Sequence, residues 1–213
     1  MKTSLLAALA ALFAMAAPAF AAGSGQALTV LAVGDSLFAG YGLPAGQSVP
    51  DLLAERLRRD GYAAHMVNAG LSGDTSAGGL ARLPWLLRER PDVAILELGA
   101  NDGLQGMPPE NLEKNLAAML DLLAEKKIPV LLAGMRSLAN FGPEYAGRFD
   151  AVYPRLAAQY RAAFLPFLLE GVALRPELNQ SDGIHPNRAG AEKVADNLYP
   201  LLKGLVDKAL AGR

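Results

Sequence analysis

A chain of 213 residues suits one domain with a sizeable core and is short for two of ordinary size. Lys and Arg number 20 against 21 Asp and Glu, with no basic block, so there is no electrostatic case for nucleic acid or an anionic membrane surface as partner. Cysteine is absent, which excludes disulfides, thiolate nucleophiles and cysteine metal sites; only His65 and His185 offer imidazoles, and no H-E-x-x-H arrangement exists.

The chain starts with a positive Met1-Lys2, an apolar stretch from Leu5 to Ala17, and Ala19-Phe20-Ala21 in a small-x-small pattern. That is the layout of a secretory signal peptide. A membrane anchor needs about 20 apolar residues, and Pro18 with the following Gly-Ser-Gly argues against one. The expectation is a signal peptide over 1–21, a single domain over 22–213, and export as a periplasmic or secreted protein without stable membrane insertion.

Leu28 to Val33 is an apolar, β-branched run that stops at Gly34-Asp35-Ser36, which reads as a buried strand of a parallel sheet. In open α/β sheets ligands bind beyond the carboxyl ends of strands, so Ser36 is placed as a nucleophile would be. Asp35 or Ser36 can equally cap the next helix. Apolar residues at Val49, Leu52, Leu53 and Leu57 predict a helix to Arg59, ended by Gly61. Ala63 to Asn68 reads as a second strand, with His65 facing a helix or solvent.

A glycine-dense loop, Asn68 to Ser76, follows; its glycines permit positive φ and leave N–H groups free to face a ligand. Thr75 or Ser76 can cap a helix reaching about Glu89. Val93 to Leu98 is a third buried strand, with Glu97 either facing a polar pocket or lying near the strand end, and Asn101 falls just past it. Pro108-Pro109 opens a helix with an apolar face at Leu112, Leu116, Met119, Leu120 and Leu123. Ile128 to Ala133 is the fourth strand, Arg136 to Tyr145 a loop, and a helix then runs to about Arg161. Phe164 to Leu169 reads as a fifth strand, Asn179 to Asn187 as a polar loop, and Pro186 to about Ala211 as a final helix. The alternation predicts one α/β domain with a parallel sheet covered on both faces.

Four loops then fall on one sheet edge, carrying Ser36, Gly73, Asn101 and Asp182-Gly183-Ile184-His185. A carboxylate three residues before a histidine can curl back to accept its Nδ1–H, which fixes the tautomer and frees Nε2 to take a hydroxyl proton. A serine hydroxyl is a weak nucleophile without such a base. The N–H groups of Ser36 and Gly73 and the Asn101 amide can supply donors to an oxyanion. The order Ser, Asp, His matches the α/β-hydrolases, but the G-x-S-x-G elbow is missing.

Gly34-Asp35-Ser36-Leu37, the Gly73 loop, Gly99-Ala100-Asn101-Asp102 and Asp182-Gly183-Ile184-His185-Pro186-Asn187 together resemble the four sequence blocks of the SGNH (GDSL) hydrolases. S-G-D-T-S, R-L-P, L-E-L-G-A-N-D-G-L and D-G-I-H-P-N resemble most the bacterial periplasmic thioesterase I / lysophospholipase / arylesterase group. The resemblance implies a flavodoxin-like three-layer α/β/α sandwich with a five-stranded parallel sheet. It implies Ser36 as nucleophile, His185 as base then acid, Asp182 as its orienting partner, and Ser36, Gly73 and Asn101 as the oxyanion hole. It implies no metal or organic cofactor. Arg136 to Phe141 departs from that group's more Pro/Asn-rich stretch and is expected to line the acyl or alcohol side of the pocket, with Leu104 to Pro108 as a lip.

The expected activity is a serine esterase acting on aryl and short-to-medium acyl esters, acyl thioesters and lysophospholipids among the candidates, with a small-molecule or lipid ester as partner. A carbohydrate O-deacetylase using the same triad is the alternative. A non-catalytic small-molecule binding module is the rival from another class; it lacks both G-x-x-x-x-G-K-S/T and G-x-G-x-x-G and leaves Asp182 and His185 without a task.

Overall fold

In the computed structural model, residues 27–137 and 139–213 are described; the expected signal peptide lies outside them. The chain opens with β1 (Leu28–Gly34), whose side chains are almost all buried. A one-turn helix α1 (Ser36–Ala39) and the amphipathic α2 (Val49–Arg59) lead to β2 (Ala64–Gly70). Then come α3 (Ser76–Leu86), extended by a 3-10 turn to Glu89, the fully buried β3 (Val93–Glu97), the short α4 (Ala100–Leu104) and α5 (Pro109–Glu125). Next are β4 (Val130–Ala133), α6 (Gly142–Asp150), α7 (Val152–Tyr160), β5 (Ala163–Leu165) and the long α8 (Arg188–Ala211).

All strands pair in parallel, in the order β2-β1-β3-β4-β5. Central strands of such a sheet are covered on both faces and must be apolar throughout; β1 and β3 are, whereas β2 at the edge is only partly buried. Helices α2 and α8 pack together on one face, and α3, α5 and α7 on the other. This is the three-layer α/β/α architecture implied by the sequence blocks.

The order also makes a switch point. The chain runs from β1 outward to β2, then returns to lay β3 on the other flank of β1, so the loops after β1 and β3 diverge and leave a crevice. Register aligns the strand ends there: Gly34 of β1 stands beside Gly70 of β2 and Glu97 of β3.

Several boundaries differ from expectation. β5 is three residues long, not six, because Pro166 lacks the N–H needed to continue the ladder. The helix expected to reach Arg161 is broken at Ala151; Pro154 cannot bond to the Asp150 carbonyl, so α6 ends and α7 starts afresh. Arg188 rather than Pro186 begins α8, capped by Asn187, whose side chain accepts the Gly190 N–H. His65 is exposed near the start of β2, at the end of the sheet opposite the crevice.

Candidate active site

The turn that carries Ser36 follows directly from β1. Asp35 caps α1 by accepting the Leu37 N–H at 3.0 Å, so the capping alternative and the placement of Ser36 are both realised. Ser36, half-buried, is the first residue of α1 and projects into a cavity of about 360 Å³ at the carboxyl ends of the strands.

The Asp182–His185 loop arrives from the far end of the chain and is held by its own backbone. Asn179 and Pro186 form an antiparallel bridge, and Gln180 N–H donates to His185 O at 2.8 Å. Asp182 Oδ1 accepts the N–H groups of Ile184 and His185, both at 3.0 Å, while Oδ2 lies 2.7 Å from His185 Nδ1. On the other side of the ring, Nε2 lies 2.9 Å from Ser36 Oγ. The His185 backbone N–H, then its ring and the Ile184 N–H, hold the Asp182 carboxyl down at about 2. It is therefore a carboxylate wherever a neutral imidazole exists, and the pair fixes Nδ1 as the protonated nitrogen and Nε2 as the acceptor.

Sequence reasoning missed two supports. Gln180 Nε2 donates to Tyr41 O at 2.6 Å, stitching the histidine loop to the loop after α1, and the Tyr41 ring packs 4.5 Å from the His185 ring. Neither residue carries a local signal, since their partnership exists only after residues about 140 apart in the chain meet.

Donors converge on the same cavity. The N–H groups of Ser36 and Gly73 donate to no acceptor among the described residues. Gly73 has φ +82°, and a Cβ there would point into open space; the glycine is required by its left-handed backbone, not by crowding. Asn101 also lines the cavity, but both hydrogens of its amide have acceptors: Asp74 O at 2.8 Å and Asp35 Oδ2 at 3.3 Å. The structure thus brings together all five residues Ser36, Gly73, Asn101, Asp182 and His185, and leaves His65 apart.

Away from Ser36 and His185 much of the wall is apolar, formed by Leu104, Met135, Phe167, Leu169, Ala173 and Leu174. Arg136 lines it too, with its guanidinium 4.8 Å above the Phe167 ring. Of the Leu104–Pro108 segment Leu104 lines the cavity, and the segment is braced by Tyr145 Oη donating to Met107 O at 2.8 Å.

Comparison with known proteins points the same way. The GDSL-like lipase/acylhydrolase family matches residues 32–193. Esterase TesA of Pseudomonas aeruginosa is 47% identical over 181 residues, 84% of this chain and 90% of the relative. An arylesterase of Vibrio mimicus is 40% identical over 168 residues, 78% and 84% of the two chains. The thioesterase 1/protease 1/lysophospholipase L1 of Escherichia coli K12 is 42% identical over 180 residues, 84% and 85% of the two chains. The crystal structure of TesA superposes with a TM-score of 0.80 at 47% identity, covering 83% of this chain and 99% of that one.

Proposed function

The chain belongs to the GDSL-like lipase/acylhydrolase family and is a serine hydrolase of carboxylic esters, and on that premise we propose how its residues divide the work. Ser36 is the nucleophile, His185 the base and later the acid, Asp182 the group that orients the ring, and Ser36, Gly73 and Asn101 the oxyanion donors. The observation that carries this reading is the unbroken relay Asp182–His185–Ser36, with 2.7 Å and 2.9 Å contacts on the two ring nitrogens.

The chemistry then follows. Ser36 Oγ attacks the acyl carbon as its proton passes to His185 Nε2, and the carbonyl oxygen becomes an oxyanion within reach of the donors. Collapse breaks the bond to the alcohol or thiol, which leaves with the proton from His185. Water then attacks the acyl-Ser36 ester, giving its proton to the same Nε2, and the acid departs as Ser36 is reprotonated.

The substrates are aryl and short-to-medium acyl esters, with acyl thioesters and lysophospholipids open to the same chemistry. The apolar wall suits an acyl chain and offers a sugar few hydrogen-bond partners, which favours this over the deacetylase alternative. The test is intact mass after treatment with a fluorophosphonate. One adduct on Ser36, lost in His185→Ala, is expected; no adduct on folded protein overturns the assignment.

We also propose that the enzyme is exported and works in the periplasm or outside the cell, with residues 1–21 removed on the way. No helix among the described residues is long and apolar enough to cross a membrane. Protein recovered outside the cytoplasm with a mass starting near Ala22 is expected; a retained Met1 in that fraction would refute processing.

A further inference from the structure

The buried polar groups beneath Ser36 include two carboxyls, those of Asp35 and Glu97, that have no step in the reaction just described. Glu97 is the last residue of β3, and its Oε2 accepts the Asp35 N–H at 3.1 Å. Gly34 makes this approach possible: a Cβ there would stand 2.5 Å from Glu97 Oε2. Asp35 itself is fully buried, with Oδ1 on the Leu37 N–H and Oδ2 on the Asn101 amide.

The Asn101 contact is the informative one. An amide nitrogen has two hydrogens. One goes to Asp74 O at 2.8 Å, and the other points to Asp35 at 3.3 Å, outside the usual range for a strong N–H···O bond. An oxyanion can therefore draw only on the second hydrogen without breaking the shorter bond. We propose that Asp35 is a positioning residue for ester hydrolysis: its carboxyl aims the Asn101 amide in the resting site and yields that N–H to the oxyanion as the tetrahedral intermediate forms. This rests on the assignment of Asn101 as an oxyanion donor.

Raised carboxyl pKa values weaken, without removing, the negative charge that opposes an oxyanion here, since at a pH above about 6 Asp35 remains a carboxylate. Burial, and then the nearness of Asp35, push Glu97 well up toward the neutral acid. Burial likewise raises Asp35 to about 6, with Asp74 and Asp102 adding to the rise and the Leu37 N–H and His185 working against it. Arg82, paired with Asp74, offsets one of those neighbouring charges.

Asp35→Asn separates positioning from capping. Its carbonyl oxygen still accepts the Leu37 N–H, but its amide presents hydrogens where Asn101 needs an acceptor. Losing an oxyanion donor outright typically costs about 10²–10³ in kcat, so a mis-aimed one is expected to cost about tenfold or more. The experiment measures kcat and KM on a p-nitrophenyl acyl ester for Asp35→Asn, Asn101→Ala and the double variant. Expected is a fall of at least about tenfold in kcat for Asp35→Asn with KM within about twofold. In the Asn101→Ala background the same change should cost less than about twofold. Losses that multiply in the double variant, or a wild-type kcat in Asp35→Asn, overturn the proposal. A wild-type kcat in Asn101→Ala overturns the oxyanion assignment beneath it as well. If Asp35→Asn does not fold, Asp35→Ser decides in the same cycle: its hydroxyl can cap Leu37 but is too short to hold Asn101.

Discussion

Asp182 is fixed by three donors, and that has a consequence for pH. Its carboxyl is held at about 2, below its ordinary value of 3.8. A depressed carboxylate stabilises the fold above its ordinary value and loses that contribution as pH falls toward the depressed one. With its carboxyl held at about 2, Asp182 stays ionised well into the acid range and does not set the acidic limb of the rate profile. Asp182→Asn keeps an oxygen for the two backbone N–H groups but presents an amide to the ring, favouring the wrong tautomer. The expected loss in kcat approaches about 10⁴-fold with the circular dichroism spectrum unchanged. A loss of only a few-fold would remove Asp182 from the relay. At this scale the sequence was legible wherever spacing is local: Asp182 and His185 lie three residues apart and close on each other. Asp35 and Glu97 were ambiguous because their roles depend on neighbouring strand ends, which no spacing along one segment reveals.

Elements that carry their own start and stop signals were legible in the sequence. α2 runs over Val49–Arg59 as its apolar spacing predicts, because Ser48 and Asp51 form a capping box at its start. β5 and the α6–α7 pair were misread because apolar period alone does not count N–H donors, and Pro166 and Pro154 remove one each. The loop between β2 and α3 shows how an element's geometry reaches the chemistry. Gly73 sits at φ +82° with its N–H free, and Thr75 caps α3 two residues on by accepting the Gly78 N–H. An alanine there meets no clash but takes a left-handed backbone that costs about 1–2 kcal/mol. Relief of that strain turns the N–H away from the cavity. Gly73→Ala is therefore expected to lower kcat by about 10²-fold with a smaller change in KM. It should also lower the thermal midpoint by roughly 2–8 °C. An alanine variant with wild-type kcat would show that this N–H does not serve the oxyanion.

The whole molecule depends on keeping strand ends level, because the site is assembled from loops after different strands. Arg82 of α3 is the clamp that does this on the β1–β2 side. Its Nη2 donates to Gly34 O at 3.0 Å and its Nη1 to Ala69 O at 2.5 Å, the last turns of two neighbouring strands. Its Nε meets Asp74 Oδ2 at 2.7 Å, on the loop that carries Gly73. One planar fork thus ties the strand before Ser36 to the loop carrying Gly73, a task that lysine, with a single charged nitrogen, cannot reproduce. The R-L-P stretch was visible in the sequence, but the three acceptors come from separate segments, so the clamp was not. Arg82→Met leaves the buried Asp74 side chain without its guanidinium partner and removes one donor from each of two strand-end carbonyls, Gly34 O keeping the Leu71 N–H, a loss of about 3 kcal/mol. For a chain of this size that corresponds to roughly 6–12 °C in thermal midpoint. Because the loss falls between the two loops, kcat should drop at temperatures well below the new midpoint, and Arg82→Lys should recover little of either. A variant that melts early yet turns over at the wild-type rate would make Arg82 a brace for the sheet alone, with the Gly73 loop held in place by its own turn and by the Thr75 cap.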